Sequence, residues 1–217
     1  MYMSYSDQND FFARAYRTGT DRWTNTPFSR RADELTLYLP KGAMILDIGA
    51  GRGGLLYELQ SLGFHVIGLE NNLDLVASGN SEIKNKKIQH EARFIAGDVL
   101  SIPLANSSFD ASIDIGLLHH LLPSHHGEYM KEVARVLKHE GFFFLVVLSS
   151  ETEHFFTHSP KHDGTVDRNL EGVHYHFFSD TEIRELAEPY FNVRSIVHEA
   201  PFGSKDVVYS IVLLKKK

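Results

Sequence analysis

Residues 44–54 have the sequence Met-Ile-Leu-Asp-Ile-Gly-Ala-Gly-Arg-Gly-Gly, and this stretch decides the fold. Ile45, Leu46 and Ile48 form the continuous apolar run of a strand that is buried on both faces, as in parallel sheets. The glycines that follow allow a tight turn that a side chain would block. Leucines then recur at helical spacing over 55–62. The stretch therefore predicts a strand, a glycine-rich turn and a helix, and ligands of α/β proteins bind beside such turns.

The glycine spacing fits two classes of ligand. Gly49, Gly51 and Gly54 satisfy the GxGxxG dinucleotide fingerprint, whereas Gly53 in place of Gly54 gives GxGxG. Asp47 lies two residues before the first glycine, where a carboxylate would repel a pyrophosphate but attract an ammonium or sulfonium group. Asp47 therefore favours a cationic, amino-acid-like ligand, while a dinucleotide and a turn without any ligand stay open as alternatives.

Composition narrows the class of protein. The 217 residues are 42% hydrophobic and 23% charged, which predicts one soluble globular domain. The net charge of −6 and the shortness of the basic clusters argue against a nucleic-acid partner. The absence of cysteine excludes disulfides and thiolate metal sites. No signal-peptide pattern is present and the longest apolar run, 142–148, is too short for a membrane span, so we expect a cytoplasmic protein that does not enter the membrane.

Strand-like and helical segments alternate along the chain, a pattern that predicts a mostly parallel sheet covered on both faces. Ser179 and Glu182 form a capping box at the start of a later helix. After the first strand we predict further parallel strands over 64–70, 92–96, 109–115 and 142–148, helices from 72 and over 124–138, and a closing antiparallel hairpin of 191–198 and 207–214 with its turn at 201–204.

The chain is predicted to form a single domain over 1–217. Its N-terminal part carries an aromatic cluster that includes Tyr16 and Trp23 and that we expect to fold over the ligand cleft. The segment after the fifth strand is rich in His, Asp and Gly and too long for an ordinary connection. The predicted parts are a helical cap (1–40), a cofactor-binding half (41–150), a lid or substrate loop (151–178) and a C-terminal helix and hairpin (179–217).

Two acidic residues follow predicted strands at the edge where a ligand would lie. Glu70 comes about 20 residues after the glycines, the distance at which an acid accepts ribose hydroxyls in dinucleotide folds. Asp98 follows a glycine and could accept from the amine of a base, with the backbone amide of Val99 beside it. The alternatives are a cap for the next helix at Glu70 and an ordinary turn aspartate at Asp98.

Taken together, these motifs resemble those of the class I S-adenosylmethionine-dependent methyltransferases over about residues 40–190. The resemblance also rests on the segments 109–110, 118–121 and 132–141. It implies a three-layer Rossmann-like α/β sandwich whose seven-stranded, mostly parallel sheet has its last strand antiparallel, and S-adenosylmethionine as the cofactor. The residues that it implies for cofactor binding are Asp47, Gly49, Ala50, Gly51, Glu70, Asn71, Asp98, Val99 and Ile115.

Histidines are the candidates for a catalytic base. Methyl transfer mainly requires alignment of the acceptor with the methyl carbon, and a base is needed only when the acceptor must lose a proton. Of the 13 histidines, we select His120 and His176, the alternative being that each is a polar loop residue. Their neighbours near the predicted cleft are His119, His154, His158, His162 and His174.

Some of the same histidines are also candidate metal ligands. His174 and His176 would share one face of an extended segment, and His162 with Asp163 could complete a ligand set. The spacing does not show that these imidazoles converge, so we expect no metal. The predicted function is methyl transfer to a small-molecule acceptor. The alternatives are a nicotinamide-dependent oxidoreductase and a non-catalytic member of the fold that senses the ligand.

Overall fold

The computed structural model describes residues 5–21, 23, 32–86, 91–152, 166–170, 173–200 and 207–217. The α-helices are α1 (Tyr5–Thr18), α2 (Ala32–Leu35), α3 (Gly54–Ser61), α4 (Leu73–Lys86), α5 (Pro123–Val136) and α6 (Asp180–Ala187). The strands are β1 (Met44–Ile48), β2 (His65–Glu70), β3 (Ala92–Ala96), β4 (Phe109–Ile115), β5 (Leu137–Leu148), β6 (Val166–Leu170), β7 (Val173–Phe177), β8 (Phe191–Glu199) and β9 (Tyr209–Lys216). No helix in the described ranges is long and apolar enough to cross a membrane.

Seven strands form one sheet in the order β3-β2-β1-β4-β5-β9-β8. β1 pairs in parallel with β2 and β4, and β9 is antiparallel to both β5 and β8. This confirms the predicted seven-stranded, mostly parallel sheet with its last strand antiparallel. The order of the strands reverses between β1 and β4, and the carboxyl ends of these strands border the crevice where ligands of open α/β sheets bind.

Helices cover both faces of the sheet, which gives the predicted three layers. Leu56 and Leu59 of α3 are buried on one face, and Tyr129 and Val133 of α5 are buried on the other. Because strands covered on both sides need apolar residues on each side, β1 has an unbroken apolar run apart from Asp47. That acid is consequently buried at the end of the central strand.

The predicted loop at 151–178 is partly wrong, because its described part contains a hairpin. β6 pairs with β7 in antiparallel fashion, from Val166 opposite Phe177 to Leu170 opposite Val173. Polar residues such as His174 and His176 in β7 made this segment resemble a loop, yet both are buried. The rest of the predicted loop after Thr152, with His154, His158, His162 and Asp163, and the turn at 201–204 lie outside the described residues.

Three element boundaries also differ from those predicted. α5 ends at Val136 and β5 begins directly at Leu137, which pairs with Phe109 of β4 ahead of an irregularity in the ladder. The strand is therefore five residues longer than the apolar run on which its prediction rested. The helix predicted from residue 72 begins one residue later, at Leu73, and continues to Lys86.

Candidate active site

A cavity of about 690 Å³ lies at the carboxyl ends of the central strands. β1, β2, β3 and β4 contribute residues at or just beyond their ends, and α1 contributes residues from above. Each of the nine residues predicted to bind the cofactor lines this cavity: Asp47, Gly49, Ala50, Gly51, Glu70, Asn71, Asp98, Val99 and Ile115.

The glycine-rich turn is a backbone surface of this cavity. Gly49 and Gly51 have φ of 71° and 53°, a left-handed region that other residues adopt at a cost. The amides of Gly49 and Ala50 donate to the Leu69 carbonyl over 2.9 and 3.0 Å, which fixes the turn against β2. A Cβ on Gly49 would lie 2.6 Å from Cδ1 of Leu117. The turn therefore has no room for a side chain at its first glycine.

Glu70 supports the turn and begins the next helix. Its Oε2 accepts from the Gly51 amide at 2.9 Å, and its Oε1 accepts from the Asn72 amide at 3.0 Å. Burial raises the pKa of Glu70, although these amides oppose the shift. Glu70 can therefore cap the next helix and still accept hydrogen bonds from a ligand in the cavity, because each carboxylate oxygen can accept two hydrogen bonds.

Asp47 is a buried acid that lacks a complete set of partners. Its Oδ2 is buried and has no hydrogen-bond partner among the described residues. Burial, and to a lesser extent the charges of Glu70 and Asp114, raises the pKa of Asp47 to about 7. A buried carboxylate without a partner is costly unless a cation or a donor compensates it. The site therefore fits a ligand that brings a positive charge to the first strand.

Asp98 and Asn71 line the cavity and make local hydrogen bonds as well. Oδ1 of Asp98 accepts from the Leu100 amide at 2.9 Å, as a turn aspartate does. The Asn71 side-chain amide donates to Oδ1 of Asn9 in α1 at 3.0 Å. Both side chains thus help to shape the cavity wall, one through its own turn and one through the covering helix.

α1 covers the cavity and is bonded to its walls on both sides. The Gln8 side chain donates to the His120 carbonyl at 2.6 Å, and a guanidinium nitrogen of Arg52 donates to the Tyr16 carbonyl at 2.6 Å. The expectation that the N-terminal aromatic residues fold over the cleft agrees with the geometry, because Tyr16 and Trp23 both line the cavity.

His120 lies in the cavity with one ring nitrogen fixed. Its Nδ1 lies 2.9 Å from the His174 carbonyl, and since a carbonyl can only accept, Nδ1 carries the proton. Burial lowers the pKa of His120 to about 4, so the ring is neutral at pH 7. The remaining nitrogen, Nε2, is then an acceptor, the state that a base requires.

The structure does not bring His176 to the cavity. Its Nε2 lies 2.7 Å from Oε1 of Glu182, and its ring packs against His126 and Phe178. His176 is not among the lining residues, so the geometry gives it no access to a ligand bound there. Of the two histidines selected from the sequence, only His120 is placed to act as a base.

Two functional positions are not evident from the sequence. Asp114 is fully buried and accepts from the Leu117 and Leu118 amides and from the Tyr129 hydroxyl, at 2.7, 3.0 and 2.7 Å. It thereby fixes the segment that carries His120 into the cavity. Asp114 shares its strand with Asp110 and Ser112, so nothing in the local sequence distinguished it. The contact of Arg52 with α1 had no local signal either.

Residues 46–145 match the family model described as a methyltransferase domain. Over these residues the chain is similar to methyltransferase domains, and the sheet order and the acid-lined glycine turn are consistent with a class I S-adenosylmethionine-dependent methyltransferase. The match indicates S-adenosylmethionine as the cofactor, as the resemblance implied. Asp47 agrees with S-adenosylmethionine as the cofactor, because this buried acid would be compensated by the positive charge of that ligand.

Relatives extend the comparison without fixing a substrate. A tRNA (carboxymethyluridine(34)-5-O)-methyltransferase, ALKBH8 of Macaca fascicularis, is 28% identical over 80% of this chain and 23% of its own length. The sterol 24-C-methyltransferase ERG6B of Gibberella zeae is 35% identical over 47% of this chain and 27% of its own length. The chain thus spans about a quarter of these two relatives.

A solved structure confirms the fold over nearly the whole chain. The 1,6-didemethyltoxoflavin-N1-methyltransferase of Burkholderia thailandensis, solved with bound 1,6-didemethyltoxoflavin and S-adenosylhomocysteine, aligns with a TM-score of 0.80. It covers 98% of this chain and 88% of its own, at 22% identity. At that identity the likeness shows the fold alone.

Proposed function

We propose that this protein methylates a small-molecule acceptor that binds in the cavity beside the methyl donor. The observation that carries the proposal is the covering of the cavity by α1, which is bonded to both walls through Gln8 and Arg52. A cavity of about 690 Å³ is in the usual range for sites that enclose drug-sized ligands. These attachments keep α1 between the cavity and a macromolecule that approaches from that side.

The donor-binding roles follow the positions of the acids. Asp47 neutralises the cationic amino-acid end, and Glu70 accepts hydrogen bonds from the ribose while the Gly51 amide steadies it. Asp98 and Val99 contact the base at the end of β3. When bound, S-adenosylmethionine supplies an electrophilic methyl group on a sulfonium. The protein residues hold and orient the two reactants and keep water out.

The remaining part of the cavity suits a mainly apolar or aromatic acceptor with one ionisable nitrogen or oxygen. His120 faces Phe12 of α1 at 4.9 Å between ring centroids, and Val146 and Tyr209 line the same cavity. In this role Nε2 of His120 takes the proton that the acceptor atom loses as it gains the methyl group. Nδ1 stays bonded to the His174 carbonyl, which keeps the ring oriented.

A tRNA acceptor is the second candidate, favoured by one observation. ALKBH8 is named as a tRNA methyltransferase, and its similarity extends over 80% of this chain. Against it stands the net charge of −6, because binding to nucleic acid relies on clustered Lys and Arg.

The deciding experiment offers methyl-labelled S-adenosylmethionine and three separate acceptor pools: a low-molecular-mass cell extract, total tRNA and total protein. We expect label in the low-molecular-mass pool, and none when the protein carries Asp47→Asn. Label in tRNA or protein alone would refute the small-molecule proposal. Donor binding by calorimetry with no label in any pool would instead support the ligand-sensing alternative.

A further inference from the structure

A second cluster of potential ligands lies outside the cavity. His126 of α5, His176 of β7 and Glu182 of α6 each present one nitrogen or oxygen, and these atoms all lie within 4.8 Å of one another. Both histidines are almost fully buried, with 1% and 2% of their surface exposed. Three separate elements thus bring two imidazoles and a carboxylate to one interior point.

The hydrogen bonds of His126 leave it in a form that binds metal. Its Nε2 lies 3.0 Å from the Leu121 carbonyl and must therefore carry the proton, so Nδ1 has the lone pair. Metal-bound histidines typically donate their other N–H to a backbone carbonyl in this way.

Glu182 provides the second observation. Its Oε1 lies 2.7 Å from Nε2 of His176, whereas its Oε2 is buried without a hydrogen-bond partner in the described part of the chain. Its backbone amide donates to Oγ of Ser179 at 3.2 Å, as in the predicted capping box, which fixes the first turn of α6. The hydrogen bond that Oε1 accepts from Nε2 of His176 leaves the other oxygen of this carboxylate unsatisfied, and a metal ion bound at Nε2 would displace the proton from that nitrogen to solvent.

We propose that His126, His176 and Glu182 bind a Zn²⁺ ion. Two imidazole nitrogens and one carboxylate oxygen are a ligand set that Zn²⁺ uses, with water in the fourth position. Donor atoms on a tetrahedral ion lie roughly 3.3 Å apart when each is about 2.0–2.1 Å from the metal. Side-chain adjustments of about an ångström would therefore close this cluster on an ion. The sequence spacing did not predict this site, because its three ligands come from three separate elements, α5, β7 and α6.

The ion would join the β6–β7 hairpin and α6 to α5. Leu121, whose carbonyl orients His126, lines the cavity, and the neighbouring His120 is bonded to β7 through His174. The proposed site thus lies directly behind the acceptor end of the cavity. Its role there is to stabilise the arrangement of these elements.

The test uses untagged, full-length protein that has been dialysed against EDTA. We expect one equivalent of Zn²⁺ in calorimetry, one equivalent of Co²⁺ by its visible d–d absorption, and a Zn²⁺-dependent rise in Tm. His126→Gln and Glu182→Gln should each weaken binding by at least about tenfold, as the loss of a ligand or its support does. His139→Gln, at a side chain that is 78% exposed, is the matched control and should bind as wild type does.

Two results would overturn the proposal. One is the absence of stoichiometric Zn²⁺ binding by the folded wild-type protein. The other is unchanged affinity in both His126→Gln and Glu182→Gln, which would assign any binding to other histidines. If one variant fails to fold by circular dichroism, the other decides. Because metal binding is measured without a methyl acceptor, these outcomes do not depend on the proposed function.

Discussion

Arg52, in the glycine-rich turn, makes a two-pronged ion pair with Asp21, which lies just beyond the covering helix. Nε and Nη2 of Arg52 lie 3.0 and 2.9 Å from the two carboxylate oxygens of Asp21, and the same Nη2 donates to the Tyr16 carbonyl. Only 4% of the Asp21 side chain is exposed, against 39% for Arg52. The glycine-rich turn is therefore bonded directly to the helix that covers the cavity.

Asp21→Asn should loosen the cover and weaken donor binding. A partly exposed ion pair contributes up to about 1 kcal/mol, so we expect up to about a fivefold rise in the Kd of S-adenosylmethionine by calorimetry. Hydrogen exchange of the α1 amides should become faster. Glu82→Gln, which removes the exposed pair with Lys86 outside the cavity, is the control. Equal exchange rates in α1 for Asp21→Asn and wild type would contradict the role of the pair.

Glu70→Gln should weaken donor binding without unfolding the turn. The amide oxygen of glutamine can still accept from one backbone amide, but the charged acceptor for a hydroxyl pair is lost, at a cost of about 1–3 kcal/mol. We expect a Kd that rises about 5- to 150-fold by calorimetry. Glu128→Gln, at an exposed site in α5, controls for the change of net charge. A Kd as low as that of wild type would remove Glu70 from the donor site.

The affinity for the donor should rise with pH across the titration of Asp47. Burial raises the pKa of this acid to about 7, so it is largely protonated at pH 6 and becomes an anion by pH 8. Only the anion attracts a sulfonium or ammonium group. Calorimetry at pH 6, 7 and 8 should show a Kd for S-adenosylmethionine that falls as the pH rises. In Asp47→Asn the Kd should change little with pH. A wild-type profile as flat as that of the variant would argue against contact with the cation.

The stability of the ligand-free protein should change with pH in the opposite direction. The pKa values of Asp47 and Asp114 are raised to about 7 and about 6 from 3.8, mainly by burial. Between the unfolded and folded values the native state binds more protons, so the free energy of unfolding falls as pH rises through this window. Urea unfolding between pH 5 and 8 measures the trend, and Asp47→Asn should reduce its slope. If the free energy of unfolding changed equally steeply with pH in Asp47→Asn and in wild type, Asp47 would not be the source of the trend.

His120→Asn should slow methyl transfer while leaving donor affinity nearly unchanged. Asparagine can keep a donor toward the His174 carbonyl but removes Nε2, the proposed proton acceptor. General-base catalysis typically contributes about 10²–10⁴-fold, and the lowered pKa of His120 puts the expected fall in kcat at the lower end of that range. The loss should shrink at high pH, where the acceptor ionises without help. A deficit that is constant with pH would indicate a purely structural role for His120.

The donor half of the site could be predicted because its determinants are local. The first strand and its glycine-rich turn are contiguous at 44–54. The carboxyl ends of parallel strands also meet at one edge of the sheet. Glu70 and Asp98 could therefore be placed beside Gly49 without any knowledge of tertiary contacts. The antiparallel final strand followed from the hairpin pattern at the carboxyl end of the chain.

The acceptor half could not be predicted in the same way, because tertiary packing decides it. The period of two along a strand shows that His174 and His176 lie on one face, but not which element packs against that face. The structure directs His176 toward Glu182 of α6, while the carbonyl of His174 holds His120. The pairing of Arg52 with Asp21 likewise depends on where α1 lies.

The double attachment of α1 also bears on the timing of turnover. Because Gln8 is bonded to the loop after β4 and Arg52 reaches Tyr16 from the loop after β1, one helix is attached to both walls of the cavity. If the products leave past α1, a motion that breaks both attachments has to come first. Such opening occurs on the microsecond-to-millisecond scale and often limits kcat. Mutations far from the reacting atoms, along the outer face of this helix, would then be a route to a faster enzyme.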